Sequence, residues 1–346
     1  MNQRALPTIA TLLRLAPEPC VCLDDVQMHR LLIARVPLLV ERLEARLRAV
    51  ASAPEIEQPH GLKTVYQLGD TPGDFRIMAH ADGTTMTVKL IGTNEAGTVV
   101  RDKISVGKLA VVHPVDHHVM ALMDACVLSS LRTALGVAVA FRATALPAPR
   151  RVGIIGAGRV GIYTALTFQR LGLADEVMLS DVSPQRVRDA ATVLAIEHGP
   201  VATAGSADAV LDQCDAVVLA TTARAPIVCG RDLAGRPVRF LASVGADADN
   251  LSELDRDILP RVRLVVGSPV CLGLGDLRRW VRDGLLLEPI SYLHDVVAGP
   301  GAAESLDPVC YVSTGFPLLD HVTAMVALEA FEAEVRPQTA EQGRRA

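Results

Sequence analysis

Asp247 follows the apolar run Phe240–Val244 after one glycine and one alanine. A carboxylate just past the C-terminal end of a parallel strand lies in the crevice where open α/β sheets bind ligands, and there it can take or give a proton. Asp247 is therefore the candidate acid/base. Asp249 stands equally near, but Asn250-Leu251-Ser252-Glu253 reads as the start of a helix that Asp249 would cap. Arg132 and Thr133 open a helical stretch, and the planar fork of an arginine binds a carboxylate in two-point fashion, which would orient an amino acid's Cα against a nicotinamide ring. A surface salt bridge would use the same arginine. Arg76 and Lys89 each sit in a strand pattern whose alternation puts long cations on one face and apolar residues on the other. That polar face is either a ligand site or a solvent face.

Gly156-Ala157-Gly158-Arg159-Val160-Gly161 follows Val152–Ile155 and precedes a helical pattern. The first glycine permits a tight turn, the second lets a pyrophosphate reach the backbone, and the third lets helix and strand pack closely. Asp181 closes the next apolar run, where a carboxylate accepts from ribose hydroxyls and repels a 2′-phosphate, so NAD is expected rather than NADP. Arg186 and Arg188 fall in the following helix and read as a solvated face. Arg159, Val160 and the pair Thr221 and Thr222, at the end of the run Ala216–Thr221, are counted beside the cofactor.

The elements that must hold these residues divide the chain. From Arg151 onward strand and helix patterns alternate, over 152–155, 176–181, 216–221, 238–244 and 263–266, as in a doubly wound parallel α/β sheet of the Rossmann kind. Before it, Met28–Ala51 has the spacing of one amphipathic helix, and strand-like segments at 63–68, 74–80, 85–92, 108–113 and 119–124 predict a meandering sheet in an α+β unit. Ser129–Leu146 reads as a helix stopped by Pro147; Cys310–Gly315 is a last strand, Phe316–Val335 a helix crossing back to the first unit, and Arg336–Ala346 a frayed end.

At 346 residues, two domains are the prior. The net charge of -5, with basic and acidic residues mixed, excludes the basic stripe that nucleic acid requires. Apolar runs broken by Arg, Asp or Pro, and Arg14 near the start, argue against a membrane span or a signal peptide and for a cytoplasmic protein. Seven dispersed cysteines without a CxxC pair read as buried thiols. His113, His117 and His118 read as a hairpin turn rather than ligands, so no metal is expected.

These segments together resemble the ornithine cyclodeaminase/mu-crystallin family from about Lys63 to the last helix. The marks are Val88-Lys89-Leu90-Ile91-Gly92, Leu131-Arg132-Thr133-Ala134, the glycine loop, Val244-Gly245-Ala246-Asp247 followed by Glu253-Leu254-Asp255-Arg256-Asp257-Ile258-Leu259, and Ser313-Thr314-Gly315-Phe316. The resemblance implies an NAD-binding Rossmann domain, 132–316, inserted into a substrate-binding and dimerising domain, 1–131 with 317–346. It implies that Arg132 and Lys89 hold the substrate carboxylate, that Asp247 is the acid/base, that Thr133 and Ser313 lie by the cofactor, and that the chain forms a homodimer. Ornithine-using members carry a glutamate where Arg76 stands here, and a cation there suits an additional carboxylate rather than a second amine. Arg76, Arg159-Val160-Gly161 and Leu128-Ser129-Ser130-Leu131 make the chain look like the branch that oxidises N-(1-amino-1-carboxy-2-ethyl)-glutamate to 2,3-diaminopropionate and 2-oxoglutarate. Its three carboxylates would engage Arg76, Arg132, Lys89 and Lys63. An ornithine- or lysine-type cyclodeaminase, or a mu-crystallin-like imine reductase, is the alternative.

Overall fold

A computed structural model describes residue 9 and residues 18–342, apart from 54–59, 71–72, 95–98, 101–103, 145–150, 287–288 and 300–306, with side chains of the last helix as far as Val335. Arg14, the expected stop at Pro147 and the last four residues lie outside the described residues.

The first unit is a six-stranded sheet in the order β1-β6-β5-β4-β3-β2. Strands β2 (Leu62–Tyr66), β3 (Phe75–Ala81), β4 (Met86–Thr93), β5 (Ser105–Val112) and β6 (Val119–Asp124) form the expected antiparallel meander. The short β1 (Val21–Leu23), too brief to register as a pattern, pairs in parallel with β6. Alternation of the strands is as expected, but its burial is the reverse of an ordinary solvent face. Arg76, Met78, His80, Thr87, Lys89 and Ile91 point inward, while Ile77, Val88 and Leu90 occupy the more exposed face.

The single helix expected over Met28–Ala51 is two, α1 (Asp25–Ile33) and α2 (Val36–Ser52). Pro37 explains the break, because its ring would strike the carbonyl of Ile33 and it has no N–H to donate. Asp24 and Gln27 form a capping box at the start of α1. Val36, Leu39, Val40, Leu43, Leu47 and Val50 recur at helical spacing and are buried.

Helix α3 (Ala125–Ala143) joins the units and passes without interruption through residue 132. It begins four residues earlier than its pattern suggested, so Arg132 and Thr133 sit well inside it rather than at its opening. By length and composition it could cross a membrane, but 83% of its apolar window is buried within the fold. It is a core helix.

The second unit is a seven-stranded, wholly parallel sheet in the order β12-β13-β11-β10-β7-β8-β9, with β7 (Arg151–Ile155), β8 (Glu176–Ser180), β9 (Ala202–Thr203), β10 (Ala216–Leu219), β11 (Phe240–Ser243), β12 (Arg263–Val266) and β13 (Val309–Val312). This is the doubly wound sheet that the alternating pattern predicts. Its crossovers include α4 (Arg159–Arg170), α5 (Pro184–Glu197) and α6 (Ala207–Gln213); α7 (Gly275–Arg282) and α8 (Leu293–Ala298) follow β12, and α9 (Pro317–Gln342) returns to the first unit. The strand order reverses between β7 and β10, so the crevice opens beside the glycine loop. Cys126, Cys214, Cys271 and Cys310 are buried, whereas Cys20 and Cys22 are exposed; all seven are free thiols.

A row of imidazoles lies where the units meet. The His60 ring lies 4.8 Å from that of His294, tilted by 49°, and His80 lies 4.8 Å from His321. Both ring nitrogens of His80 are buried without a hydrogen-bond partner. Burial lowers all four, His60 to about 4. Unfolded imidazoles take protons near 6.5, so between that pH and about 4 the unfolded chain binds more protons than the folded one. Stability should therefore fall as pH falls through this window, and His80→Phe should shrink that fall; urea titrations of both proteins at stepped pH read it directly.

Candidate functional site

The glycine loop turns from β7 into α4. Gly156 has φ 111°, and a Cβ on it would lie 2.3 Å from the carbonyl oxygen of Ala220. A Cβ on Gly161 would lie 1.9 Å from the carbonyl oxygen of Gly156. At Gly158, by contrast, nothing stands within 4 Å. That open cradle faces the first turn of α4, which no side chain caps, and so suits an anion. Asp181 Oδ2 accepts from the amide of Ala157 at 2.9 Å, and its Oδ1 from the amide of Ser183 at 2.8 Å. The acidic residue thus sits against the loop at the end of β8, as its position predicts. Arg188 is bonded to Gln185 on the exposed side of α5.

Other residues expected beside a nucleotide are placed less uniformly. The Arg159 side chain donates to Cys126 Sγ at 3.0 Å, tying α4 to the start of α3. Val160 packs half-buried against the core. Thr221 donates its amide and hydroxyl to Glu253, at 2.6 and 2.9 Å, while Thr222 is exposed. Ser313 Oγ accepts from the amide of Gly315 at 3.1 Å, and Thr133 donates back to the carbonyl of Ser129 at 2.8 Å.

Four cations converge from the first unit: Lys63 on β2, Arg76 on β3, Lys89 on β4 and Arg132 on α3. Lys89 is 1% exposed and donates to Asp320 Oδ1 at 2.7 Å and to Ser129 Oγ at 3.2 Å. Arg132 Nε donates to the same Asp320 oxygen at 3.0 Å. Gly315 has φ 77°, and a Cβ on it would lie 2.3 Å from Arg132 Nη1, so a larger residue would be strained and would push that guanidinium aside. Arg76 spans Asp74 and Asp247, at 2.8 and 2.5 Å. Lys63 donates to the carbonyls of Thr314 and Gly315 and to Thr314 Oγ1, joining β2 to the segment after β13.

Charge governs the protonation of these groups. Burial lowers Lys89 to about 7, with Asp320 opposing and Arg132 adding to the fall. Burial and then Arg76 lower Lys63 to about 8. Burial alone would raise the carboxyl of Asp247; the cations Arg76, Lys63 and Arg132 outweigh it and hold it below the usual carboxylate range. Its side chain is 40% exposed, open to a ligand from the crevice.

Several residues of the site escaped the sequence reading. Asp320, 2% exposed at the start of α9, neutralises two cations that lie far upstream in the chain. Its signal was a lone aspartate on an apolar helix face. Glu253 was expected within a helix start; instead it is fully buried and accepts from the amides of Thr221 and Gly245 and the hydroxyls of Thr221 and Ser243. No helix starts at Asn250. Asp255 caps a 3-10 turn over Arg256–Arg261, and Asp249 pairs with Arg278 instead of capping. Asp276 holds the amides of Glu253 and Leu254. Asp249, Ser252, Asp276 and Arg279 also line a cleft of about 400 Å³, away from the cation cluster, whose charged groups are largely paired with one another.

His113, His117 and His118 occupy the β5–β6 turn, as expected. His113 Nδ1 accepts from the amides of Val115 and Asp116, and His117 has φ 60°. The ring nitrogens of His113 and His118 and a carboxylate oxygen of Asp116 lie within 4.8 Å of one another. The acceptor role of His113 is that of a turn cap.

Asp320→Ala should leave Lys89 and Arg132 buried without their counter-ion and cost roughly 3–5 kcal/mol in urea denaturation. Added formate, supplying the missing carboxylate, should recover part of the loss; no loss would deny Asp320 that role.

Residues 23–334 match the family model described as the ornithine cyclodeaminase/mu-crystallin family. An ornithine cyclodeaminase from Agrobacterium fabrum is 25% identical over 252 residues, 72% of this chain and 70% of that protein. Among solved structures, a Delta(1)-pyrroline-2-carboxylate reductase from Thermococcus litoralis in complex with NADH and L-proline superposes with a TM-score of 0.80 at 22% identity, covering 91% of this chain and 98% of that one. An archaeal alanine dehydrogenase dimer with bound NAD gives 0.78 at 20% identity, covering 91% and 97%. At these identities the structural likeness establishes the fold.

Proposed function

The chain belongs to the ornithine cyclodeaminase/mu-crystallin family, and within it we propose an NAD-dependent oxidoreductase acting on the C–N bond of an amino-acid-derived secondary amine. The substrate we assign is N-(1-amino-1-carboxy-2-ethyl)-glutamate, which with water and NAD+ would give 2,3-diaminopropionate, 2-oxoglutarate, NADH and a proton. Such a product suits siderophore or peptide-antibiotic supply. One observation carries the reading. Arg76, Lys63 and Arg132 face Asp247, Lys89 lies beside Lys63 and Arg132, and Lys63 has only carbonyl and hydroxyl hydrogen-bond partners among the described residues. A ligand with several carboxylates would balance that charge; a diamine would add to it.

NAD fits the residues present: Gly158 leaves room for a pyrophosphate, the uncapped first turn of α4 offers amides, and Asp181 stands beside the loop. When bound, it supplies the hydride acceptor for the substrate Cα. The remaining work falls to the chain. Arg132 and Lys89 hold the carboxylate at the reacting carbon, Arg132 through the guanidinium end that Asp320 leaves over. Arg76 and Lys63 take the others. Asp247 would accept the proton of the amine and release it to solvent, then draw one from the water that attacks the oxidised carbon and return it to the departing nitrogen.

A homodimer is part of the proposal. The more exposed sheet face carries Leu62, Tyr66, Met86 and Leu90, which are 52%, 46%, 39% and 43% exposed, and a second copy would cover them. We place this dimer in the cytoplasm; the one membrane-length helix among the described residues is largely buried.

The alternative is a cyclodeaminase or an imine reductase, favoured by the names of the relatives described above. Purified protein incubated with the glutamate conjugate should accumulate reduced nicotinamide at 340 nm. Absorbance silent with the conjugate, together with proline from ornithine, selects the cyclodeaminase instead. Gly158→Ala, meeting nothing within 4 Å, should melt as the parent does yet bind NAD about tenfold or more weakly. Affinity for 2-oxoglutarate should fall as pH rises through 7 to 8, where Lys89 and Lys63 lose their protons. A flat profile would remove the two lysines from anion binding.

A further inference from the structure

We propose that Arg76 masks Asp247 in the free protein and is drawn away by a distal carboxylate of the substrate, so that the acid/base becomes competent only with a ligand of that shape. The inference rests on the reading of the site given above. It turns Arg76 from a simple binding residue into one that decides which substrates react.

The geometry carries it. Arg76 Nη1 donates to Asp247 Oδ2 at 2.5 Å, and Nη2 donates both to the backbone oxygen of Asp247 at 3.0 Å and to Asp74 Oδ2 at 2.8 Å. Arg76 is 7% exposed, and its Nε is buried with no acceptor. One buried donor is therefore left over, and a ligand oxygen is a group that would satisfy it. Asp74 is itself fixed, its Oδ1 accepting from Thr93 Oγ1 at 3.0 Å. An Arg76 that leaves Asp247 thus keeps one carboxylate partner just before its own strand, which lowers the cost of release.

The groups facing Asp247 are Arg76 from β3, Lys63 from β2 and Arg132 from α3. Burial pushes the Asp247 carboxyl up, and Arg76 is the largest force holding it down. Such a carboxylate is a weak base toward an ammonium. Once Arg76 engages another carboxylate, burial is opposed by less charge and the carboxyl rises toward the working pH. The step enabled is a single proton transfer. The O–H bond forms at Asp247 as the N–H bond of the substrate's secondary ammonium breaks, and the electron pair stays on nitrogen. An amine without the distal carboxylate leaves the mask in place.

Two measurements test this. The first compares wild type with Arg76→Gln on the conjugate and on an analogue whose glutamyl γ-carboxylate is replaced by a methyl group. Arg76→Gln should lower kcat/KM for the conjugate about a hundredfold but raise kcat for the analogue about tenfold. The second follows the Asp247 carboxyl by infrared difference spectroscopy in wild type loaded with NAD+, with Asp247→Asn to assign the band. Adding 2-oxoglutarate should move its protonation upward by about one pH unit. A parallel loss of both activities in Arg76→Gln overturns the mask, as does an infrared band that 2-oxoglutarate leaves unmoved. If the band moves but wild type never oxidises the conjugate, the mask stands and the assigned substrate is what falls.

Discussion

Four basic side chains on the inward face of a sheet and one buried helix would be ruinous for folding without counter-ions, and the architecture is organised around supplying them. Desolvating a single ion costs several kcal/mol even after relaxation, so each cation must find a carboxylate or a set of carbonyls. Asp320 enters from α9, Asp74 from the residue before β3, and Asp247 from the loop after β11. The three arrive from separate parts of the chain. The return of α9 to the first unit is therefore an electrostatic necessity as much as a packing one, because Lys89 and Arg132 share one oxygen of its aspartate.

The same constraint shapes what lies behind the cluster. His60, His80, His294 and His321 fill the junction as neutral rings, two of them in van der Waals reach of each other at each end. Burial keeps them unprotonated against the pull of Asp82 and Asp295. Gly315 is required for a related reason, since the segment after β13 must pass against the Arg132 guanidinium with no side chain between.

On the nucleotide side, backbone proximity takes the place of charge. Gly156 and Gly161 bring strand, loop and helix within contact of each other's carbonyls, and Gly158 leaves an open cradle. Glu253 then joins the loops after β10 and β11 through four donors, so that the Thr221 and Gly245 edges of the crevice hold a constant spacing. Asp247 stands two residues from Gly245, on the lip of that rigid joint. On the proposed reading, the acid/base thus stands on a fixed edge against an arginine that moves.

The alternation of strands and helices, the glycine loop with Asp181 and the order of the meander were legible in the sequence, because each is a local pattern with a period or a spacing that only one backbone arrangement satisfies. The resemblance also grouped Lys89, Arg132 and Asp247, with Arg76 as a departure from the family pattern. What tertiary structure alone decided was which side of the meander is buried, since a period of two separates the faces without saying which one meets the core. It also decided where the compensating charges come from. Asp320 lies 231 residues from Lys89, and Asp247 lies 171 from Arg76. Local propensity carries no information across such separations, and only the closed fold brings those carboxylates to the cations they neutralise.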